Sequence, residues 1–183
     1  METSSPFVVL VDDSDAVTGI MEKMEAHRKG LLHRAFSVFI FNAKGDMLLQ
    51  QRATNKYHSA GLWTNACCSH PAPDEPVEDA AGRRLQEEMG FTTPLVKAFS
   101  FIYKTEFDNG LTEHEFDHVL IGEYGGSVTP APSEVKDYCF LGIEEIEKAI
   151  LSHPQRFTTW FHVAFPRVVE WRKSQHAEQP HVD

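Results

Sequence analysis

Three acidic side chains alternate with other residues in the segment LTEHEFDHVL, and their spacing suits metal chemistry. On a β-strand, side chains two positions apart share a face, so Glu113, Glu115 and Asp117 would all point the same way. Carboxylates held side by side repel one another, and a bound metal ion relieves that repulsion. The segment therefore predicts either a solvated acidic strand face or one side of a metal site.

Histidines are the second residue type that such a site would need. His27, His33 and His70 lie in separate segments, and no two of them have the i, i+4 spacing of a helical zinc motif. Each is therefore either a structural histidine or a ligand that folding brings to a shared ion. Three histidines and two glutamates would supply a nitrogen and oxygen shell that suits manganese or magnesium and also accepts zinc.

A charged helix is predicted over the segment VEDAAGRRLQEEMG. Pro76 precedes it, and Gly90 ends it as a C-terminal glycine cap does. Arg84 lies one helical turn from Glu87 and Glu88, which places these charges on one face. Taken alone, the pattern indicates ion pairs on a solvated helix face.

The elements that must position these residues alternate along the chain. The segment FVVLVDDSDAVTG predicts a strand that runs into an acidic turn, and MEKMEAHRKG predicts a short helix closed by Gly30. RAFSVFIFN and MLLQQR predict a hairpin through the turn at residues 43–46. The later predicted elements are strands near 99–107 and 113–124, a turn at 108–110, and helices near 143–151 and 158–173.

Length and charge limit the class of protein. The 183 residues predict a single domain over 1–183, with an N-terminal extension over about 1–30 and a flexible tail over about 174–183. A net charge of −10 disfavours nucleic acid as a partner. The sequence shows neither an apolar run long enough for a membrane span nor a secretory signal, so we expect no membrane partner and a cytoplasmic location. Three cysteines, an odd number, indicate reduced thiols.

The charged helix and the residues before it resemble a Nudix box, the strand-loop-helix element that gathers magnesium on glutamates to act on diphosphates. The resemblance is carried by Ser69, Glu75, Arg83, Glu87, Glu88 and Gly90. Ser69 replaces the leading glycine of the box, and Arg84 replaces a glutamate that normally binds metal. This departure puts diphosphate hydrolysis in doubt but leaves a cation that can grip phosphate oxygens.

Together with WTNACCSHP, the EHE triplet and the two histidines ahead of the first core strand, the degenerate box resembles type I isopentenyl-diphosphate isomerase. The resemblance runs from about Val8 to Trp160. It implies an α/β (α+β) fold, with a Nudix-type mixed β-sheet sandwiched between helices. It also implies a small-molecule substrate, isopentenyl diphosphate, whose double bond moves by a 1,3-proton shift through a tertiary carbocation. We expect a monomer or a weak dimer.

The resemblance implies catalytic roles for Cys68, Glu115 and Tyr103. Cys68 would be one acid/base group, with Cys67 as a packing residue, and we expect a cationic surround to make the Cys68 thiolate accessible near neutral pH. Glu115, with Tyr103 beside it, would pass a proton to the alkene from the opposite face. Trp160 matches the aromatic residue that caps the site and stabilises the carbocation, although a tryptophan here is equally typical of helix core.

The resemblance also implies two metal ions and a set of diphosphate contacts. Manganese, zinc or magnesium would bind His27, His33, His70, Glu113 and Glu115. A second ion, magnesium, would arrive with the substrate and contact Glu88. Lys23, Arg52, Lys56 and Arg84 match the diphosphate-binding positions, and the alternative for each is a solvated surface charge.

Two other functions remain compatible with the sequence. One is a Nudix hydrolase that cleaves a nucleoside or other diphosphate, because one fold carries many activities. Arg84 in the box and Cys68 beside it argue against hydrolysis. The other is a catalytically inactive diphosphate-binding module, against which the presence of Cys68, Glu115 and Tyr103 together argues.

Overall fold

A mixed β-sheet lies at the centre of the computed structural model, which describes residues 5–177. Its strands are β1 (Phe7–Val11), β2 (Val17–Glu22), β3 (His33–Phe41), β4 (Met47–Arg52), β5 (Trp63–Thr64), β6 (Cys67–Ser69), β7 (Leu95–Glu106), β8 (Thr112–Glu123) and β9 (Val135–Leu141). The helices are α1 (Lys23–Lys29), α2 (Val77–Met89), α3 (Ile143–Ser152) and α4 (Thr159–Ala177), with a short 3₁₀ turn at Pro154–Arg156.

Strand β3 organises the sheet. It pairs in parallel with β8 from His33 opposite Glu115 to Phe41 opposite Glu123. The other pairings are antiparallel: β7 extends the sheet beyond β8, β1 pairs with β2, and β9 pairs with β4. The register of β3 and β8 sets a predicted histidine ligand beside a predicted carboxylate ligand, so it positions the site directly.

The aromatic run in β3 is explained by burial on both faces. Phe39 and Phe41 belong to the core that packs against α3 and α4, whereas Val38 and Ile40 belong to the core against α2. Since successive side chains of a strand point to opposite faces, a strand covered on both sides is apolar throughout. The predicted sheet sandwiched between helices is confirmed.

The predicted hairpin of β3 and β4 is correct only next to its turn. The two strands pair antiparallel at Phe41 and Met47. Farther along, β6 pairs with residues 36–38 of β3, and β4 pairs with β9 and β5 instead. The short strand β6 takes the backbone hydrogen-bonding groups that a longer hairpin would have used, and it carries Cys68 into the sheet.

The N-terminal segment adds two strands where one was predicted. Residues 17–22 form β2 on β1, so α1 begins at Lys23 rather than at Met21, and it ends at Gly30 as predicted. The Glu22 side chain caps α1 by accepting hydrogen bonds from the first-turn backbone. Because β1 also pairs with β3 through Leu10, the predicted N-terminal extension is part of the sheet.

The C-terminal helices follow the prediction with small shifts in their ends. Helix α4 continues through Ala177, and the remainder of the predicted tail, residues 178–183, lies outside the described residues. Across residues 5–177, we find no helix that combines the length and the apolar character needed to cross a bilayer.

Replacing Gly90 by alanine should destabilise the fold more than replacing Gly45. Both have a positive φ, 78° and 83°, for which a Cβ costs roughly 1–2 kcal/mol. A Cβ on Gly90 would lie 2.4 Å from the Thr129 carbonyl oxygen, whereas no described atom lies within 4 Å at Gly45. We expect Gly90→Ala to lower the free energy of unfolding by roughly 1–3 kcal/mol more than Gly45→Ala does, because overpacking adds to the backbone strain.

Urea unfolding of both variants, compared at an unchanged m-value, measures the difference. Equal losses would show that the Thr129 segment moves away at little cost.

Candidate active site

The three alternating carboxylates lie on one buried face of β8. Glu113, Glu115 and Asp117 are only 2%, 7% and 1% exposed. The interpretation as a solvated strand face is therefore wrong. Three acidic groups in a dry interior need hydrogen-bond donors or cations nearby, because burial of an unpaired charge is costly.

Three histidines converge on these carboxylates from separate elements. His27 lies on α1, His33 is the first residue of β3, and His70 follows β6. Ligand atoms of the three imidazoles and of Glu113 and Glu115 all lie within 4.8 Å of one another. The chain turns back after Gly30, so the six-residue gap between His27 and His33 still brings their ring centroids to 4.9 Å. The five predicted ligands are thus brought together.

Backbone carbonyls fix the protonation of two of the imidazoles. His27 Nδ1 lies 2.6 Å from the Lys23 carbonyl oxygen, and His33 Nδ1 lies 2.9 Å from that of Leu31. A carbonyl oxygen only accepts hydrogen bonds, so each Nδ1 carries the proton. In its neutral form, each ring then presents the Nε2 lone pair to the cluster, as metal-binding histidines do.

These lone pairs face carboxylate oxygens rather than donors. His27 Nε2 lies 3.1 Å from Glu113 Oε1, and His33 Nε2 lies 3.5 Å from Glu115 Oε1. In the described part of the chain, His33 Nε2 is buried without a hydrogen-bond partner. When both facing atoms are unprotonated, their lone pairs repel, and a cation between them converts the repulsion into two bonds. The donor set therefore fits a divalent metal ion with mixed nitrogen and oxygen ligands.

The carboxyl groups titrate as strongly interacting neighbours. Burial, followed by repulsion from Glu113, raises the pKa of Glu115 to about 8. Burial also disfavours ionisation of Glu113, but its interactions with Glu115, His27 and His58 outweigh burial and lower its pKa. Burial, then Glu115, raises the pKa of Asp117 well above its usual range. The side chains alone therefore favour Glu113 as the charged member.

Tyr103 lies beside Glu115, as predicted. The two residues are opposite each other on β7 and β8, and the phenol donates to Glu115 Oε2 at 2.7 Å, with Glu113 Oε2 at 3.3 Å. Burial, then repulsion from Glu115, raises the pKa of Tyr103 well above its usual range. The phenol therefore stays protonated and can act as a hydrogen-bond or proton donor.

Cys68 lies on β6 and lines a cavity that Tyr103, Glu113 and Glu115 also line. The thiol donates to Asn65 Oδ1 at 3.1 Å and lies 3.6 Å from the Ser37 hydroxyl, which donates to Asp117 Oδ2 at 2.7 Å. Burial, followed by repulsion from Asp117, raises the pKa of Cys68 to about 12. The expected accessible thiolate is wrong for these side chains, because burial outweighs nearby cations. Cys67 is fully buried in the core, consistent with packing.

Asn65 connects Cys68 to Trp160. It lies in the WTNACCSHP motif, but no role had been predicted for it. Its Oδ1 accepts hydrogen bonds from the Cys68 thiol, from Trp160 Nε1 at 3.3 Å and from Thr64 Oγ1 at 2.9 Å. Its Nδ2 donates to the carbonyl oxygens of Val38 and Cys67, both at 2.9 Å. Because two carbonyls require the nitrogen on their side, the amide cannot flip, and Oδ1 stays directed at the thiol and the indole.

Trp160 satisfies both interpretations of its position. It lies on α4 with its side chain buried in the core, and it also lines the cavity. The Arg52 guanidinium lies 5.3 Å from the centroid of its ring, and the Tyr103 ring centroid lies at 6.4 Å. The indole therefore contacts a cation already, and its action on a carbocation stays a prediction.

The four predicted diphosphate contacts line the cavity that holds Cys68 and Glu115. They are Lys23, Arg52, Lys56 and Arg84. The surface-charge alternative is wrong for Arg84, which is 6% exposed. Its guanidinium donates to Glu87 at 2.7 Å and to Glu88 at 2.6 Å. Lys23, Arg52 and Lys56 are half-buried, and Lys56 forms an ion pair with Glu134.

Glu88, predicted to contact a second metal ion, also lines the cavity but lies outside the five-residue cluster. Its Oε1 accepts the hydrogen bond from Arg84, and its Oε2 accepts one from Gln50 at 3.1 Å. The structure therefore places Glu88 at the basic side of the cavity.

His58 was missed because a lone histidine in a polar loop has no spacing pattern. It is 8% exposed, lines the cavity, and its Nε2 lies 2.5 Å from Glu113 Oε1. Its contact with a carboxylate on a distant strand exists only in the folded chain.

Comparison with known proteins adds to this geometry. The NUDIX domain family matches residues 31–161. The isopentenyl-diphosphate Delta-isomerase of Pectobacterium atrosepticum is 49% identical over 172 residues, or 94% of this chain and 96% of its own. Isopentenyl-diphosphate Delta-isomerase 2 of Aromatoleum aromaticum is 46% identical over 165 residues, or 90% of this chain and 87% of its own.

Solved structures with less sequence similarity share the fold. A Deinococcus radiodurans protein superposes with a TM-score of 0.68 at 18% identity, covering 80% of this chain and 90% of its own. A MutT protein from Methanosarcina mazei gives a TM-score of 0.63 at 21% identity, covering 79% and 95%. At these identities the likeness concerns the fold alone.

The raised pKa of Cys68 predicts slow alkylation at neutral pH. The thiolate is the nucleophile, and below the pKa its fraction rises about tenfold per pH unit. With a pKa of about 12, the rate of reaction with iodoacetamide in chelator-treated protein should rise without a plateau from about pH 7 to about pH 10. Peptide mass spectrometry distinguishes Cys68 from Cys67 and Cys139. A plateau within that range would contradict the assignment of a protonated resting thiol.

Proposed function

The chain belongs to the NUDIX family and, within it, to the isopentenyl-diphosphate isomerases, and from this membership we propose that it converts isopentenyl diphosphate into dimethylallyl diphosphate. One observation carries the proposal. The Cys68 thiol and the hydrogen-bonded pair of Glu115 and Tyr103 line a single cavity, and four cationic side chains line it as well.

The reaction moves one double bond, so it needs one proton gained and one proton lost. We propose that Glu115, with Tyr103, supplies a proton to the terminal alkene carbon. The electron pair of the double bond forms the new C–H bond and leaves a tertiary carbocation. Cys68, as thiolate, then takes a proton from the carbon between the cation and the diphosphate-bearing carbon, and the C–H electron pair becomes the new double bond. Exchange with solvent restores both groups.

This scheme requires the Cys68 thiol to lose its proton, which costs free energy. Each pKa unit above the ambient pH costs about 1.4 kcal/mol. The charge of Arg52 opposes the rise that burial and Asp117 cause in the pKa of Cys68, and so favours the thiolate. The contacts with Asn65 and Ser37 hold the sulfur at a fixed place in the cavity, which supports proton transfer to and from carbon.

A metal ion fits the other side of the cavity. We propose that His27, His33, His70, Glu113 and Glu115 hold manganese, zinc or magnesium. When bound, such an ion supplies Lewis-acid polarisation and fixes the orientation of the Glu115 carboxyl group. The imidazole lone pairs directed at the carboxylates support this assignment.

The basic residues support diphosphate binding. Lys23, Arg52, Lys56 and Arg84 line the cavity, and guanidinium groups bind phosphate oxygens with two parallel hydrogen bonds. Magnesium carried by the diphosphate would be held beside Glu88. Trp160 lines the same cavity, where its π face would stabilise the carbocation and its bulk would exclude water.

Arg84 argues against the hydrolase alternative. It pairs with both Glu87 and Glu88 of the Nudix helix. A hydrolase that gathers metal ions on these carboxylates would have to place the ions beside a buried guanidinium. Like charges close together in a buried site repel strongly, so the helix is better suited to one ion that arrives with an anionic diphosphate than to a cluster of metal ions.

Incubation with isopentenyl diphosphate and magnesium in D₂O, followed by proton and phosphorus NMR, tests the reaction. We expect dimethylallyl diphosphate with deuterium in a methyl group, because the donated proton comes from groups that exchange with solvent. Chelator treatment should abolish turnover, and added metal should restore it. Phosphate release without isomerisation would instead identify a hydrolase. Unchanged substrate with folded, metal-loaded protein would identify a binding module.

Replacing Cys68 by alanine should lower kcat for isomerisation by about 10²–10⁴-fold, because one acid/base group is lost. Cys139→Ala is the matched control, since Cys139 is a half-buried cysteine on β9 outside this cavity. Steady-state kinetics and circular dichroism of both variants would be compared. Retained activity in Cys68→Ala would remove Cys68 from the proposed mechanism.

A further inference from the structure

His58 contacts the carboxylate cluster in a different way from the three predicted histidine ligands. It lies in the loop between β4 and β5, outside the set of five converging ligands. Its Nε2 lies 2.5 Å from Glu113 Oε1, the oxygen that His27 Nε2 also approaches. Two imidazoles thus meet at one carboxylate oxygen, and they need not play the same part.

The contacts of Nδ1 differ between His27 and His58, and this difference indicates different roles for the two rings. His27 Nδ1 must carry its proton, because its partner is the Lys23 carbonyl oxygen. His58 Nδ1 lies 3.2 Å from the Ser59 hydroxyl, which can donate as well as accept. A neutral His58 can therefore carry its proton on Nε2 and donate it to Glu113. A neutral His27 offers only a lone pair at Nε2.

We propose that His58 is a positioning residue for the metal site and not a ligand. Its Nε2–H holds Glu113 Oε1, while the Tyr103 hydroxyl approaches Glu113 Oε2 at 3.3 Å. Hydrogen bonds of this kind, made to a ligating carboxylate by a residue that does not touch the ion, orient the ligand and raise metal affinity. This inference rests on the metal site in the proposed function.

Aromatic packing holds the His58 ring in the orientation that the hydrogen bond needs. The ring stacks on Phe107 with centroids 4.9 Å apart and planes 12° apart. Tyr57 meets it edge-on at 4.5 Å and Trp160 at 5.9 Å. The ring loses little further freedom when it donates to Glu113. Since Tyr57 and Trp160 also line the cavity, His58 joins the metal site to the wall of the substrate pocket.

Two substitutions separate the hydrogen bond from the packing. His58→Leu keeps an apolar side chain of similar reach but has no donor. His58→Gln places an amide N–H near the position of Nε2. The Mn²⁺ dissociation constant would be measured by isothermal titration calorimetry without substrate, beside wild type and His176→Leu, which removes an exposed imidazole near the end of α4.

We expect His58→Leu to weaken Mn²⁺ binding by about 10–100-fold, as loss of such a partner does in other metal sites. His58→Gln should recover most of that loss, and His176→Leu should match wild type. Thermal unfolding of the metal-free proteins monitors packing, and a packing role alone would lower the midpoint without separating the leucine and glutamine variants in Mn²⁺ affinity.

Two results would overturn the inference while leaving the isomerase proposal in place. They are wild-type Mn²⁺ affinity in His58→Leu, and equal weakening in the leucine and glutamine variants. Absence of Mn²⁺ binding by the wild-type protein would instead remove the metal site, and this inference with it. The NMR assay of isomerisation reports separately on the proposed function.

Discussion

Mutual repulsion among the buried carboxylates of β8 is the constraint on which the site depends. Glu113, Glu115 and Asp117 lie side by side with little water, and such groups remain buried only when each finds a donor or a cation. Imidazoles approach the first two, Tyr103 donates to Glu115, and Ser37 donates to Asp117. Side chains from four other segments, on α1, β3 and β7 and just after β6, are thus required at one strand, and the fold brings them there.

The parallel pairing of β3 with β8 positions several of these side chains. It sets His33 opposite Glu115 and Ser37 opposite Val119, and it is held by a core on each face of β3. A slip of one residue would turn every side chain of β3 to the other face, exchanging the two cores. The register that aligns the ligands is therefore protected by the same apolar packing that stabilises the sheet.

Much of the site could be predicted from the sequence, either from the two-residue alternation of a strand or from the family resemblance. The alternation of Glu113 and Glu115 gave a shared face, and the resemblance supplied the histidines that fold onto it. The roles of Asn65 and His58 could not be predicted, because each depends on a contact that forms only in the folded chain and that residue type alone does not indicate. Strands β2 and β9 were also missed, and β6 is too short to signal that it displaces β4 from β3.

The protonation state of Cys68 shows a different limit. The cationic surround expected from the family resemblance predicted an accessible thiolate, but the pKa depends first on burial and then on Asp117. Neither depth nor the distance to a carboxylate on another strand can be read from composition. The arginines and lysines line the cavity, as expected, yet desolvation at the sulfur outweighs their charge.

The amide of Asn65 has a consequence for attempts to redesign the pocket for bulkier prenyl substrates. Trp160 is the obvious residue to replace by a smaller one. Its indole N–H, however, donates a hydrogen bond to the amide oxygen that also accepts one from the Cys68 thiol. Phenylalanine or leucine there would enlarge the cavity and release one of the partners that orient the amide. Shape and reactivity are coupled through a single oxygen atom, so an enlarged pocket is better sought at side chains that do not touch Asn65.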